Sequence, residues 1–409
     1  MNVYDSRLIA SILKKEGFQE VSSPKDADVI IVNTCCVREH AEKRALGRIN
    51  VLSGLKKKNP DLIIVVAGCM AQKLKRIEGA DITIGPSNYR LLPQLIRSAQ
   101  KISCVDEKKE DYAGIYADQP WVSAFLPVMR GCDNYCTYCI VPYVRGRLIS
   151  RPYKDILTEA KRLVDKGVKE ITLLGQSINQ YEYNGVNFAK LLEMVAKESG
   201  VKWLRFLTSH PKYFTRDIIE VMVKYRNIIC EKIHLPVQSG SNRILKLMNR
   251  KYTIEEYLKL VEELRKAIPD LALTTDIIVG FPTETEKDFE ETLNLVKEVR
   301  FDYAFMFKYS EREGTAAVKL EPKVPEEERL RRLQILIDLQ NRITTEINKK
   351  MEGKEFEVLV DGRAKRGDFR GKTRQDKVCV IKDKVKIGDF VRVKVKEVKG
   401  WTPICDLTR

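Results

Sequence analysis

The sequence lacks the features that would carry a chain into or across a membrane. No apolar run approaches the roughly 20 residues that a helix needs to span a bilayer. The first residues, Met1 to Ser6, have neither the basic flank nor the apolar stretch of a secretory signal. We therefore expect a cytoplasmic protein without a membrane partner.

Histidine is scarce, whereas cysteine is frequent and clustered. The 409 residues include 3 histidines and 10 cysteines. In a reducing compartment, grouped cysteines indicate metal or redox sites rather than disulfide bonds. The cysteines that stand alone are expected to fill space as small apolar side chains. Two groups remain: Cys132, Cys136 and Cys139 on one short segment, and Cys35, Cys36 and Cys69 nearer the N-terminus.

Acidic residues are outnumbered by basic ones. The chain has 73 Lys and Arg against 57 Asp and Glu, a formal net charge of +16. Nucleic acid is the first candidate partner, because Lys and Arg gain affinity by displacing phosphate counterions. A generally basic, solvated surface is the alternative explanation.

The first of three segments predicts a parallel α/β sheet. Short β-branched runs at residues 28–33, 62–67 and 82–84 alternate with helical patterns such as 6–15 and 37–55. Ligands of such sheets gather beyond the carboxyl ends of the strands, which is where Cys35 and Cys69 would lie. A polar, acidic stretch around 106–119 is predicted to be a linker.

The second segment repeats strand and helix six times. Predicted strands are 123–129, 170–174, 203–208, 232–237, 273–279 and 303–307, and predicted helices are 156–166, 188–197, 218–225, 254–267 and 286–299. Six units give a partial, TIM-like (β/α)6 barrel, since a full barrel needs eight. A long charged helix, about 325–350, leads away from it.

The third segment, about 352–409, alternates with a period of two and predicts a small antiparallel β-barrel. Asp361-Gly362, Gly367-Asp368 and Gly388-Asp389 are the predicted turns. The segment has 16 Lys and Arg against 10 Asp and Glu. Arg392, Lys394 and Lys396 would lie on one face of a strand, which indicates nucleic-acid binding or a charged edge strand protected against aggregation.

The sharpest signal is the Cys-x3-Cys-x2-Cys spacing of Cys132, Cys136 and Cys139 directly after the first barrel strand. Three thiolates on one loop can hold three corners of a four-iron cluster and leave one iron open. Structural zinc is the alternative, but it normally takes four protein ligands. None of His40, His210 and His234 is near in sequence, although folding could bring one close.

At these residues the chain resembles the radical S-adenosylmethionine (SAM) superfamily. Over nearly its whole length it resembles the methylthiotransferases of that superfamily, with the MiaB-type branch most similar. The resemblance is carried by motifs in the family's order: Asn33-Thr34-Cys35, Val37-Arg38-Glu39, Gly68-Cys69-Met70-Ala71-Gln72, the triple-cysteine loop, Arg145-Gly146-Arg147, Leu174-Gly175-Gln176, His234-Leu235-Pro236-Val237-Gln238-Ser239-Gly240, Met248-Asn249-Arg250 and Thr275-Asp276-Ile277-Ile278-Val279-Gly280-Phe281-Pro282.

The resemblance implies a flavodoxin-like N-terminal domain (1–108), a radical SAM core (118–347) and a C-terminal TRAM domain (350–409). It implies that Cys132, Cys136 and Cys139 hold a [4Fe–4S] cluster that cleaves SAM to a 5′-deoxyadenosyl radical. A second [4Fe–4S] cluster on Cys35 and Cys69 would supply sulfur. The product would be 2-methylthio-N6-isopentenyladenosine beside the tRNA anticodon. Residues bordering SAM would be Tyr138, Gly175, Gln176, Gln238, Ser239, Asp276, Phe281 and Phe307.

The N-terminal cluster departs from the family pattern. Methylthiotransferases use three cysteines there, and the first normally precedes a Met-Asn-x-Tyr-Asp-Ser segment, with which this sequence begins. We expect either that the natural protein carries the missing strand upstream, or that the cluster is unstable or uses Cys36.

Three other functions stay open. Two keep the reaction and change its target, to threonylcarbamoyladenosine in tRNA or to a ribosomal protein. The third is a non-catalytic RNA-binding protein with structural metal. The expected partners are the anticodon stem-loop of tRNA and a flavodoxin- or ferredoxin-type reductant, and the enzyme is expected to be a monomer.

Overall fold

The computed structural model describes residues 1–36, 39–98, 101–105, 110, 112–119, 122–365 and 367–408. The motif residues Val37 and Arg38, and the side chains of Glu39 and His40, lie outside this part of the chain. So does much of the predicted linker before residue 112. Within the described residues, no helix has the length and apolarity needed to cross a membrane.

The N-terminal unit is a four-stranded parallel sheet in the order β1-β2-β3-β4. Helix α1 begins almost at the N-terminus. Leu8, Ile12 and their neighbours form its apolar face, which packs on the sheet. The elements are α1 (Asn2–Lys15), β1 (Val29–Thr34), α2 (Glu39–Ser53), β2 (Ile63–Gly68), α3 (Cys69–Leu74), β3 (Ile82–Ile84), α4 (Leu92–Ser98) and β4 (Ile102–Cys104).

The predicted linker connects β4 to β5 (Ser123–Pro127) without helix or strand in its described residues, but it packs against the N-terminal unit. Tyr112, Ile115 and Ala117 are buried in the core of the N-terminal unit. The Tyr112 hydroxyl donates to the Pro86 carbonyl at 2.7 Å, and its ring stacks on Tyr89. Burial of these apolar groups stabilises the connector against the N-terminal core, although its composition is polar and acidic.

The central unit confirms the partial barrel. Six parallel strands lie in two sheets, β5-β8-β11 and β12-β13-β14. The sheets meet where Leu204 bridges to Ile229, and the gap between β5 and β14 leaves the barrel incomplete. The barrel strands are β5 (Ser123–Pro127), β8 (Glu170–Leu174), β11 (Trp203–Phe206), β12 (Lys232–His234), β13 (Ala272–Val279) and β14 (Tyr303–Lys308).

Helices cover the outside of this barrel, and local signals set their limits. Thr253 with Glu256, and Thr285 with Asp288, form capping boxes at the starts of two of them. The helices are α5 (Val141–Arg145), α6 (Tyr153–Asp165), α7 (Phe188–Glu198), α8 (Arg216–Lys224), α9 (Asn242–Leu247), α10 (Ile254–Ala267), α11 (Glu286–Val299) and α12 (Glu326–Lys349). Short hairpin strands are β6 (Met129–Arg130), β7 (Ile149–Ser150), β9 (Glu182–Tyr183) and β10 (Val186–Asn187).

The C-terminal unit is a closed five-stranded barrel in the order β15-β16-β17-β19-β18. The predicted turn at Asp361-Gly362 is wrong, because both residues continue a strand that contains a β-bulge between Val360 and Gly362. One strand pair, β17 with β19, is parallel. The strands are β15 (Glu355–Arg363), β16 (Phe369–Thr373), β17 (Val378–Ile381), β18 (Phe390–Lys399) and β19 (Thr402–Leu407).

The C-terminal barrel docks on the amino end of the central barrel. Trp203, the first residue of β11, packs edge-to-face on Phe390 at 5.1 Å between ring centroids. Lys232, the first residue of β12, pairs with Asp376 at 2.7 Å. The buried Arg205 donates from Nε to Glu170 and from its Nη atoms to the carbonyls of Thr373, the last residue of β16, and Arg374. The carboxyl end of the barrel is therefore on the opposite side from the C-terminal unit.

Candidate active site

The triple-cysteine loop follows β6 at the carboxyl end of the central barrel. Gly131 opens it with φ of 70°, and a Cβ there would lie 2.0 Å from the Arg147 carbonyl oxygen, so a side chain does not fit. The Thr137 amide donates to the Met248 carbonyl at 3.1 Å, and the Thr137 carbonyl accepts from the Ala317 amide at 2.8 Å. These backbone bonds hold the loop against the segments that follow α9 and β14.

Two polar side chains donate to the loop's sulfur atoms. Asn134 Nδ2 lies 3.3 Å from the Cys132 sulfur, and Arg250 Nη1 lies 3.5 Å from the Cys136 sulfur. The buried Arg250 also donates to the Pro236 carbonyl at 2.9 Å. Donors of this kind stabilise thiolates and tune a cluster that binds them. Asn134 was not among the predicted site residues, and Arg250 appeared only as part of a motif.

Burial favours the protonated form of two thiols of this loop, Cys132 and Cys139. It raises the pKa of the Cys132 thiol, and it raises the pKa of Cys139 to about 12. A metal centre must therefore displace protons from the thiols as it binds.

The three thiols of this loop are candidate ligands of a metal cluster. Over the part of the chain that the structure describes, no three His, Cys, Asp or Glu side chains converge as the ligands of a single metal ion would. A four-iron cluster takes each thiolate on a different iron atom, so its ligands need not converge on one point.

Residues with left-handed backbone surround the loop. Tyr135, Thr208, Gln238, Asn249 and Thr283 all have positive φ, between 46° and 75°. Each lies within the loop or shortly after a strand or helix at the carboxyl end of the barrel. Asn249 also donates from Nδ2 to the carbonyls of Asn134 and Tyr135, at 3.1 and 3.0 Å. Strained backbone of this kind concentrates at functional sites, where the surroundings enforce it.

The predicted SAM neighbours after β8 fit a polar ligand. A Cβ on Gly175 would lie 2.7 Å from the Met129 side chain. The absence of a side chain at Gly175 therefore lets the turn pass close to Met129. Gln176 Oε1 is buried without a hydrogen-bond partner among the described residues. An amino group of a bound ligand would supply the missing donor.

The remaining predicted SAM neighbours lie near the same end in different environments. Gln238 has φ of 75°, and its backbone pairs with β13. The Ser239 hydroxyl points to Thr292 of α11, 3.4 Å away, and not to the barrel interior. The Asp276 Oδ2 atom lies 3.4 Å from His234 Nε2.

The aromatic neighbours are less accessible than their prediction implies. Phe281 is fully buried and packs edge-to-face on Tyr309, with Tyr138 in the same apolar cluster. The Phe281 ring therefore packs in the apolar core. Only the loop that contains Phe281 could border a ligand. Phe307 lies near the carboxyl end of β14 and is partly buried.

The N-terminal cysteines lie at the carboxyl edge of the parallel sheet, as expected. Cys35 follows β1 and is partly exposed, and Cys69 begins α3 directly after β2 and is buried. Cys36 is buried beside Cys69, and hydrogen bonding between their thiols raises the pKa of Cys36 and lowers that of Cys69. Cys36 therefore points toward Cys69 rather than away from it.

Arg145 connects the two cysteine groups. It lies at the end of α5, six residues after Cys139, and donates from Nε to the Cys69 sulfur at 3.1 Å. Its Nη2 donates to Asp5 at 2.7 Å. Its Nη1 is buried and has no hydrogen-bond partner among the described residues. A guanidinium with a spare buried donor fits an anionic, sulfur-bound centre at Cys69.

The predicted basic face of the C-terminal unit is present. Arg392, Lys394 and Lys396 are exposed on β18, whereas Val393 and Val395 between them are buried. The alternative of a protected edge strand is wrong, because β18 pairs with both β15 and β19 in a closed barrel.

Comparison with protein families places all three units. The model of the radical SAM superfamily matches residues 126–296. The model described as uncharacterized protein family UPF0004 matches residues 1–83, and that of the TRAM domain matches residues 349–402.

Full-length relatives are similar over almost the whole chain. A tRNA-2-methylthio-N(6)-dimethylallyladenosine synthase of Thermodesulfovibrio yellowstonii is 46% identical over 403 residues, covering 97% of this chain and 93% of the relative. Enzymes with the same name from Clostridium botulinum (strain Langeland) and Parabacteroides distasonis are 48% and 45% identical. They cover 98% of this chain, and 93% and 92% of the relatives.

Solved structures share the fold at low identity. The radical SAM methyltransferase TsrM from Kitasatospora setae, with cobalamin and a [4Fe-4S] cluster bound, has a TM-score of 0.58 at 12% identity. The match covers 75% of this chain and 72% of that one. The cobalamin-dependent radical SAM enzyme OxsB has a TM-score of 0.54 at 15% identity, over 82% of this chain and 53% of that one.

Proposed function

The chain belongs to the family of tRNA-2-methylthio-N(6)-dimethylallyladenosine synthases, and on that premise we propose which of its residues carry the reaction. It is a radical SAM transferase that adds a methylthio group to C2 of N6-dimethylallyladenosine, the N6-isopentenyladenosine of tRNA. The observation that carries the assignment of roles is the single loop of three cysteines at the carboxyl end of the partial barrel, with Arg250 and Asn134 donating to its sulfur atoms.

Cys132, Cys136 and Cys139 would hold the [4Fe–4S] cluster that binds SAM. When bound, the cluster and SAM supply the one-electron chemistry needed to break an aromatic C–H bond, which acid–base groups cannot break. Arg250 and Asn134 keep two of the three sulfurs hydrogen-bonded. Cys132 and Cys136 are buried, which keeps water away from two of the three sulfurs and would limit side reactions.

Several residues at the carboxyl end of the barrel would position SAM. The unpartnered Gln176 Oε1 would accept from its amino group, beside the tight turn at Gly175. Gln238, Asp276 and Phe307 would border the remainder. Tyr138 and Phe281 would shape the wall from the apolar cluster behind it, and Ser239 would contribute backbone atoms only.

A second [4Fe–4S] cluster would take Cys35 and Cys69 as ligands and would act as the sulfur source. The buried Arg145, with a spare donor at Nη1, would compensate negative charge at that centre. Cys36 is close enough to Cys69 to hydrogen-bond with it, so it is available as a further ligand.

The C-terminal TRAM domain would hold the anticodon stem-loop through phosphate contacts from the exposed face of β18. Residues 1–108, 118–347 and 350–409 would form the three functional units. A flavodoxin- or ferredoxin-type protein would supply electrons to a monomeric enzyme in the cytoplasm.

The test is an anaerobic assay on four substrates. The reconstituted protein is given stem-loop RNAs that carry dimethylallyladenosine, threonylcarbamoyladenosine or plain adenosine, and a ribosomal protein. Mass spectrometry of the digested products should find methylthiolation of the dimethylallyl RNA alone.

Two variants control this assay. Cys136→Ala should abolish the product, whereas Cys104→Ala, at a lone cysteine on the short strand β4, should retain it. Methylthiolation of the threonylcarbamoyl RNA or of the ribosomal protein would change the target. A zinc-loaded protein that leaves SAM intact would overturn the enzyme assignment.

A further inference from the structure

A row of aromatic rings runs along the last barrel strand, β14, from the C-terminal barrel. The ring of Trp401 lies 6.2 Å from that of Tyr303, and Tyr303 lies 5.1 Å from Phe305. Phe305 lies 5.8 Å from the imidazole of His234. Phe305 is 42% exposed and Trp401 is 45% exposed. Large aromatic side chains are usually well buried, so a connected, open row of them indicates a binding surface.

The direction of this row follows from strand geometry. Ala304 and Met306 pack in the apolar core between barrel and helices, so the alternate residues Tyr303, Phe305 and Phe307 face the barrel interior. In the described residues β14 pairs only with β13, which leaves its other edge at the gap in the barrel. A strand of 6 residues is roughly 17 Å long.

The contacting rings therefore extend from the amino end of the barrel to the middle of β14, and Phe307 lies further along the same face of the strand. Trp401 is held at the amino end, where Asn348 donates from Nδ2 to its carbonyl at 2.9 Å. Phe307 is near the carboxyl end, where the triple-cysteine loop lies. An RNA gripped by the C-terminal barrel is otherwise separated from the cysteine loop by the length of the barrel.

Polar and basic groups accompany the rings. His234 Nδ1 lies 3.0 Å from Thr274 Oγ1, and Asp276 is partly exposed beside Nε2 of the same imidazole. These groups can hydrogen-bond the edge of a base that stacks beside them. Lys399, two residues before Trp401, lies in the basic strand β18, is largely exposed and pairs with Glu397 at 2.9 Å. Its charge suits a phosphate backbone.

We propose that Trp401, Tyr303 and Phe305 form a stacking track for unpaired bases of the anticodon loop, and that the track leads the target nucleotide from the C-terminal barrel to the cysteine loop. This inference rests on the proposed function and names the path that its substrate takes. RNA loops are recognised through unstacked bases that pack on aromatic side chains. An enzyme that reacts at a base must also take that base out of its stack.

The test measures binding of a fluorescently labelled anticodon stem-loop that carries dimethylallyladenosine. Phe305→Leu and Trp401→Leu remove a ring but keep an apolar side chain. Each should weaken binding on the order of tenfold, because a base–aromatic stack contributes that much to affinity. The salt dependence of binding should not change, since no charge is removed. Ile387→Ala, at an exposed apolar residue of the C-terminal barrel outside the track, should bind as the wild type does.

Two further variants distinguish the loss of a stacking ring from misfolding of the protein. Phe305→Tyr and Trp401→Phe keep an aromatic ring and should restore most of the affinity. Removing the base of one loop nucleotide should weaken RNA binding by the wild type. The same removal should have little further effect on binding by Phe305→Leu, because that variant already lacks the stack.

The outcomes separate this inference from the function on which it rests. Wild-type protein that methylthiolates the RNA, with both leucine variants binding as tightly as the wild type, overturns the track alone. Wild-type protein that does not modify the RNA overturns the proposed function. Unchanged RNA affinity together with a wild-type dimer that the leucine variants abolish would assign the row to self-association, and would also overturn the track.

Discussion

Replacing Arg145 by methionine removes the positive charge that joins α5 to the N-terminal unit. The Arg145 side chain is 7% exposed, and that of its partner Asp5 is 1% exposed, at 2.7 Å. The substitution keeps an apolar side chain in the same space and leaves the Asp5 carboxylate buried without its closest partner. We expect the N-terminal unit to lose stability and the Cys69 site to lose iron.

The magnitude follows from the charges that remain. Removing one partner of a buried ion pair costs about 3–5 kcal/mol. Arg130 Nη2 stays 3.6 Å from Asp5, so the lower end applies. Asp5→Asn alone leaves Arg145 without its carboxylate and should also destabilise the unit. The double variant with both substitutions buries no unpaired charge from this pair. Its loss of unfolding free energy should therefore be smaller than the sum of the two single losses by about 1–3 kcal/mol.

Hydrogen exchange of the amides of α1 measures this cost, because a chain of several units need not unfold in one step. Exchange in α7, on the central barrel, is the internal control. A second readout is the iron bound after reconstitution in a background that lacks Cys132, Cys136 and Cys139. Additive costs within about 0.5 kcal/mol, with unchanged iron, would refute the coupling.

Three further predictions concern other parts of the molecule. Arg205→Met should loosen the C-terminal barrel by about 3 kcal/mol, because it leaves Glu170 without its closest partner, and limited proteolysis should then release that unit. Lys394→Ala should lower the salt dependence of RNA binding by about one phosphate contact, whereas an unchanged slope would place the RNA elsewhere. His210 is buried, which lowers its pKa to about 2, so the unfolded chain binds the extra proton below about pH 6.5. Relative to His210→Asn, the protein should therefore lose about 1.4 kcal/mol of stability for each pH unit below 6, and parallel pH profiles would contradict this.

The barrel strands and helices were predictable because their signals are local. Three elements begin and end at the predicted residues: the strand Glu170–Leu174 and the helices Ile254–Ala267 and Glu286–Val299. Apolar periodicity fixes their type, and the threonines that cap both helices fix where they begin.

The errors arise where a distant contact decides the structure. Tyr112 is buried by the N-terminal core, which an acidic local composition does not reveal. Asp361-Gly362 has the composition of a turn, but β15 pairs with β16 before and after this point, so the residues form a bulge within the strand. Strand β4 was missed because three residues with a polar centre carry no alternating pattern.

The site was predictable where chemistry depends on spacing along the chain. The spacing of Cys132, Cys136 and Cys139 predicts a loop with three candidate ligands without any structure. The groups that act on the sulfurs come from other elements, as Arg145 does for Cys69 and Arg250 does for Cys136. Only the fold brings these pairs together, and the same is true of Trp401 and Tyr303.

The central claim is that the cysteine loop leaves one iron without a protein ligand. Electron paramagnetic resonance of a reduced Cys35→Ala/Cys69→Ala protein tests it directly, because the only cluster left is the one on Cys132, Cys136 and Cys139. The account predicts that adding SAM shifts the cluster signal. A signal that SAM leaves unchanged, from a cluster with a fourth protein ligand, would contradict it.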